Sequence, residues 1–164
     1  MGERAANDVS LHPITRDNWR EAIEVVVADD DLKFVADHQP VALVIMSKCY
    51  VRPSGAEWTA WLIRAGDKPA GVFALVFAAE HCLLINFAID HRLKRRGIGT
   101  RAVELALELV AAERPRATSV TLTVHPDNVA AQGLYRAAGF TPTGDMSDGE
   151  PMWRRSLRPT SPDQ

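Results

Sequence analysis

Short blocks run the length of the chain in which apolar residues either alternate with polar ones or recur every three to four positions. They predict strands and helices in turn. Val9 to Ile14 predicts a first strand. Thr15 or Asp17 can cap a helix that places Trp19, Ile23 and Val26 or Val27 on one face. Asp29-Asp30-Asp31 interrupts it, and a second helix, with Pro40 suited to its first turn, runs to about Tyr50. Trp58 to Ile63 and Ala70 to Phe77 predict two strands joined at Ala65-Gly66-Asp67-Lys68 into a hairpin. Leu83 to Ile89 is an apolar run of buried-strand length. After Gly99, residues Val103, Ala106, Leu107 and Val110 share one face of a helix that stops before Pro115. Ser119 to Val124 is β-branched and strand-like, and Asn128 to Ala138 predicts a helix with Gly139 at its C-terminal cap. Phe140 to about Thr143 and Met152 to Leu157 close the pattern as strands, with a turn at Asp148-Gly149.

The resulting order is β-α-α-β-β-β-α-β-α-β-β, an antiparallel first half leading into a βαβ unit. It predicts an α/β fold with a mixed, mostly antiparallel central sheet flanked by helices. No repeat or linker divides the chain, so one domain is expected over residues 7–157. The polar, Pro-rich residues 158–164 are expected to form a disordered tail.

Composition narrows the function classes. A chain of 164 residues, 46% hydrophobic and 24% charged, can bury one real core. Its net charge of -2 gives no footing for nucleic acid. No apolar run approaches the roughly 20 residues needed to cross a bilayer, and the first residues have no apolar core of a secretory signal. A cytoplasmic protein without membrane partners is the expectation. Cys49 and Cys82 are too few for a disulfide framework or a four-ligand zinc site, so no metal is expected. Oligomeric state is not fixed by the sequence, which is compatible with a homodimer.

Two segments carry candidate chemistry. Lys94-Arg95-Arg96-Gly97-Ile98-Gly99-Thr100 lies between the apolar run and a helix. A helix start offers backbone N–H groups without intrahelical partners and the positive end of the macrodipole, which together suit an anion. Gly97 and Gly99 let a phosphate approach the backbone and tolerate positive φ, while Lys94, Arg95, Arg96 and Arg101 add charge. Taken alone, the turn is equally well a helix start with a solvated basic face. It is neither a P-loop nor a dinucleotide fingerprint, because no Gly-Lys-Ser/Thr follows and the third glycine is missing. The second segment runs from Asn128 to Phe140. Asn128 suits a helix cap, and Ala131, Leu134 or Tyr135 and Ala138 recur at helical spacing, which is also ordinary core patterning.

Together the segments resemble the GCN5-related N-acetyltransferase (GNAT) superfamily. Phe87-Ala88-Ile89 followed by Lys94-Arg95-Arg96-Gly97-Ile98-Gly99 resembles its first motif, and Asn128, Ala131, Leu134, Tyr135, Gly139 and Phe140 resemble its second. The resemblance implies acetyl-CoA as co-substrate. Phe87, Ala88 and Ile89 would offer backbone groups to the pantetheine arm, Lys94 to Thr100 would hold the pyrophosphate, and Asn128 and Ala131 would line the arm. Tyr135 would stand at the thioester sulfur and protonate it as it leaves. Lys94 departs from the Gln or Arg usual in the family, and Gly133 sits in a helix at a cost of about 1 kcal/mol relative to Ala. The implied reaction is acetyl transfer to a primary amine of a small molecule by direct attack. No base is assigned: Asn86 cannot act as one, Glu80 and His81 would have to act through water, and for His81 and His125 a surface or structural role outweighs a catalytic one.

A weaker resemblance, in Leu11 to Trp19, Phe34-Val35-Ala36, and Thr143-Gly144 with Asp148-Gly149-Glu150, is to bacterial spermine/spermidine acetyltransferases. It implies a polyamine acceptor and a site with carboxylates. Asp30, Asn86 and Glu150 are the candidate acceptor-binding residues. The alternatives are another amine (an aminoglycoside, an amino acid or a protein N-terminus) and a non-catalytic acyl-CoA-binding module.

Overall fold

Seven strands form a single sheet in the order β1-β2-β3-β4-β5-β7-β6. They are β1 (Val9–Pro13), β2 (Glu57–Ala65), β3 (Lys68–Ala78), β4 (His81–Ile89), β5 (Ser119–Thr123), β6 (Thr141–Ser147) and β7 (Glu150–Ser156). Every neighbouring pair is antiparallel except β4 and β5, which are parallel. The structure, a computed structural model, describes residues 6–158. Most of the expected tail therefore lies outside the described residues.

The α-helices that cover the sheet among the described residues are α1 (Trp19–Ile23), α2 (Asp29–Val35), α3 (Val41–Val51), α4 (Ile98–Glu113) and α5 (Val129–Ala137). Alternating strand residues feed two apolar clusters. Trp61, Ile63, Phe73, Leu75 and Leu84 meet Val103, Ala106 and Val110 of α4 and Tyr135 of α5 on one face. Leu62, Val72, Ala74 and Ala88 meet Ala22 of α1 and Val41, Ala42 and Ile45 of α3 on the other. Fully burying a side chain such as Phe73 or Ile45 stabilises the fold by about 1.5–3 kcal/mol, so both faces are strongly held.

Three α-helices, not two, separate the first strand from the second. The chain leaves α1 after Ile23 because Val25 and Val27 both turn into the core. There the Gln39 side chain stands in for a strand, accepting from the Val27 N–H at 3.1 Å and donating to its carbonyl at 3.0 Å. Asp29-Asp30-Asp31 does not interrupt a helix but opens α2, where negative charge complements the exposed N–H groups. Pro40 caps α3 from outside with an extended ψ of 139°. Neither Thr15 nor Asp17 caps α1. Asn18 precedes it, and its side chain is spent on the Thr15 N–H and the Pro13 carbonyl.

Candidate active site

The parallel ladder between β4 and β5 is short. Its register covers His81 with Ser119, Cys82 with Val120 and Leu83 with Thr121, and then ends. Beyond it β4 runs on to Ile89 beside β3 alone. The backbone groups of Phe87, Ala88 and Ile89 on the β5 side thus border an opening at the C-terminal ends of two parallel strands, a favoured place for a ligand in an α/β sheet. A β-bulge sharpens it: Val72 faces Ala88 but Ala74 faces Ile85, so β4 has one residue more than β3 over this stretch. Asn86 takes up the extra length at φ 53°. Ile85 and Asn86 both turn toward the helices α1–α3, while Phe87 returns to the α4/α5 face.

One end of the opening is the start of α4. Gly97 precedes it at φ 76°, a left-handed conformation that glycine adopts without strain. The N–H groups of Ile98, Gly99 and Thr100 have no hydrogen-bond partner among the described residues, and no side chain caps the helix. They are positioned to receive an anion. Gly99 does not use the positive φ that the sequence reading allowed it. A Cβ there would come within 2.8 Å of Leu134 Cδ1, so its bareness lets α5 close against α4. Arg95 and Arg96 are exposed beside the turn. Lys94 instead turns its ammonium to the carboxylate of Asp31 on α2, and Arg101 turns along its own helix to Glu104 and Glu108.

Asn128 caps α5, its side-chain oxygen accepting from the Ala131 N–H at 3.2 Å. From this anchored start the helix delivers Tyr135 inward, 8% exposed. A row of rings supports it. Trp61 stacks on Phe73, Phe73 meets Phe87, Phe87 meets Tyr135 edge-on, and Tyr135 meets Phe140 edge-on at 5.7 Å. The Tyr135 hydroxyl has no partner among the described residues. Because no side-chain polar atom there is both sealed and unpartnered, it opens onto accessible space. Burial pushes the phenol above its ordinary pKa, so it holds its proton at neutral pH and can donate it. The Cys82 thiol, pushed by burial up to about 12, is no nucleophile.

On the opposite face α2 spans the same opening. Asn86 Nδ2 donates to the Val35 carbonyl at 2.6 Å, tying the end of α2 to the bulge. The Phe34 ring lies 5.1 Å from that of His125, which follows β5. Lys48 of α3 donates to Asn86 Oδ1 at 3.0 Å and lies 5.6 Å from the Trp58 ring.

The histidines differ in what they can do. His81 pairs with Ser119 at the closed end of the ladder, six strand residues from Phe87, or about 20 Å at the rise of a strand. Glu80, in the turn before it, is no nearer. His125 Nδ1 accepts from the Asp127 N–H at 3.1 Å, which places the ring proton on Nε2 and makes that nitrogen a donor, not a base. Asp30 is exposed in the first turn of α2, and Glu150 lies opposite Ser147 in the β6–β7 hairpin. Among the described residues no hydrogen bond or ion pair joins either of them to Asn86.

Asp90 escaped the sequence reading. It is 1% exposed directly after β4 and accepts from the Val26 N–H at 3.0 Å and from Arg92 at 2.8 Å. Its own N–H donates to the Ala70 carbonyl at 2.7 Å, so it fixes where β4 ends and the turn to α4 begins. Burial would raise its carboxyl, but the bonds from Arg92 and Val26 outweigh that and hold it at about 2. A lone Asp between an apolar strand and a basic turn was its only signal.

No curated protein matches the chain in sequence. Solved structures share its fold. A spermidine N-acetyltransferase from Vibrio cholerae, in complex with CoA and spermine, superimposes with a TM-score of 0.70 at 12% identity over 92% of this chain and 96% of that one. An aminoglycoside acetyltransferase holding coenzyme A gives 0.71 at 17% identity over 90% and 94%. An acetyltransferase from Salmonella typhimurium that modifies an N-terminal serine of a 50S ribosomal subunit protein gives 0.70 at 14% identity over 91% and 95%. The description "Acetyltransferase (GNAT) family" matches residues 14–140, and the chain belongs to that family.

Proposed function

We propose that the protein transfers the acetyl group of acetyl-CoA to a primary amine of a small molecule by direct attack. The observation that carries this is the opening between β4 and β5, with N–H groups that have no partner among the described residues at one end and a protonated Tyr135 on its wall. Acetyl-CoA supplies an activated thioester. The N–H groups of Ile98, Gly99 and Thr100 would hold its pyrophosphate, with Arg95 and Arg96 adding charge. The free edge of β4 at Phe87, Ala88 and Ile89 would hold the arm, beside Asn128 and Ala131, and supply an N–H to the developing oxyanion. As the amine nitrogen bonds to the carbonyl carbon and the C–S bond breaks, Tyr135 gives its proton to the departing sulfur and regains one from solvent. The amine loses its own proton to solvent. An alkyl amine is about one part in a thousand neutral near pH 7.4, a cost of about 4 kcal/mol, and no side chain is assigned to remove that proton.

The three structural neighbours are named for different acceptors on one fold, so the acceptor is chosen by residues outside the shared frame. Release of free thiol from acetyl-CoA across a panel of amines tests the proposal. Thiol release dependent on one amine is the expected result. Calorimetric binding of acetyl-CoA with no release for any amine would reduce the protein to a binding module.

A further inference from the structure

Lys48 is the one charged side chain hydrogen-bonded to Asn86 at the bulge among the described residues. Its ammonium spends one N–H on Asn86 Oδ1 and lies near the Trp58 ring, and among the described residues no carboxylate pairs with it. A half-buried ammonium without a counter-ion is costly. A structural bridge to an amide oxygen needs a donor, not a charge. Asn86 is in turn oriented by the Val35 carbonyl, so its oxygen is presented to Lys48 and the pair is fixed at the bulge.

The location gives this charge a use. Phe87, on the α4/α5 face, meets Tyr135, which the proposed reaction puts at the leaving sulfur. Asn86 is its neighbour on the other face, so Lys48 stands across the strand from the reacting thioester, on the side left to the attacking amine. Of the carboxylates near it, Asp37, exposed two residues beyond Val35, has no ion-pair partner among the described residues. Lys33 of α2 lies 5.0 Å from the Phe34 ring, which itself covers His125. Asp31 is engaged with Lys94, Asp29 and Asp30 are at the far end of α2, and Asp127 is an exposed neighbour of His125. At the bulge itself the hydrogen-bonded charge is a cation, where a polyamine would require a carboxylate.

We infer that the acceptor is an amine that also carries a carboxylate, and that Lys48, held by Asn86, is the residue that selects it. The inference rests on the acetyltransferase reading, and its test separates the two. Thiol release is measured with amino acids and ω-amino acids, each beside its own amide, and with spermidine. Rates are corrected for the neutral fraction of each amine. A carboxylate should be preferred over its amide by about ten- to a hundredfold in kcat/KM, through KM. Lys48→Met should remove most of that ratio and Lys48→Arg should retain most of it. Calorimetry with acetyl-CoA checks that each variant is folded and loads the donor. Amides or spermidine used as well as the carboxylates, or a ratio unmoved by Lys48→Met, would overturn the inference while leaving acetyl transfer standing. No thiol release with any amine would overturn both.

Discussion

Phe87 and Tyr135 meet edge to face, centroids 6.4 Å apart and planes at 68°, across the place where β4 and β5 cease to pair. The contact fixes the direction of the phenol, so its hydroxyl is aimed and not merely present. Tyr135→Phe keeps the ring and removes only the proton donor. It should lower kcat by about a hundredfold or more and weaken acetyl-CoA binding far less. An unchanged kcat in steady-state thiol release would remove Tyr135 from the mechanism.

The anion site at α4 is assigned to backbone N–H groups, and this can be separated from side-chain charge. Gly97→Ala places a Cβ on a left-handed residue, at a cost of about 1–2 kcal/mol, and displaces the first turn. Lys94→Ala removes a half-exposed charge already engaged with Asp31. Calorimetry should show the larger loss of acetyl-CoA affinity for Gly97→Ala, with the smaller Lys94→Ala loss fading as salt rises. The opposite order would transfer the anion to Lys94.

Gly133 stands exposed in α5, and a Cβ there would meet nothing within 4 Å. Nothing in the structure requires glycine at this position. Gly133→Ala should therefore stabilise the protein by about 1 kcal/mol, seen as a higher denaturation midpoint at unchanged m-value.

Asp90 links stability to acidity. Its carboxyl is held at about 2 when folded against an ordinary 3.8, so its contribution is present above pH 3.8 and is lost as pH falls through about 2. The difference corresponds to about 2 kcal/mol. Asp90→Asn should lower stability near neutral pH and flatten its acid dependence over that window, measured by denaturant titration at several pH values. An identical pH dependence in the variant would sink the assignment.

The succession of elements from the second strand onward, and the helix starts near Gly97 and Asn128, were legible because they depend on local patterning. β-branched runs, helical stripes and a glycine-marked helix start each declare themselves within a dozen residues. The division of the region before the second strand was not legible. Val25 and Val27 are buried in extended chain, and the Gln39 side chain that satisfies Val27 is twelve residues away. Asn86 was read as a candidate to touch the acceptor. Its left-handed backbone, and its bond to Lys48 thirty-eight residues earlier, depend on how β4 meets β3 and α3, which no local pattern encodes. Gly99 was read for its turn, and its closeness to Leu134 on another helix is set by the packing of two helices.

The three-position ladder from His81 to Leu83 makes the sheet two leaves joined at one hem. One leaf is β1 to β4, the other β5 to β7, and the ends away from the hem stand apart. Cys82 and Val120 pair across that hem and are both buried, so a change of side-chain volume there would press on both leaves at once. Selection for the width of the opening can thus act on residues that no ligand touches.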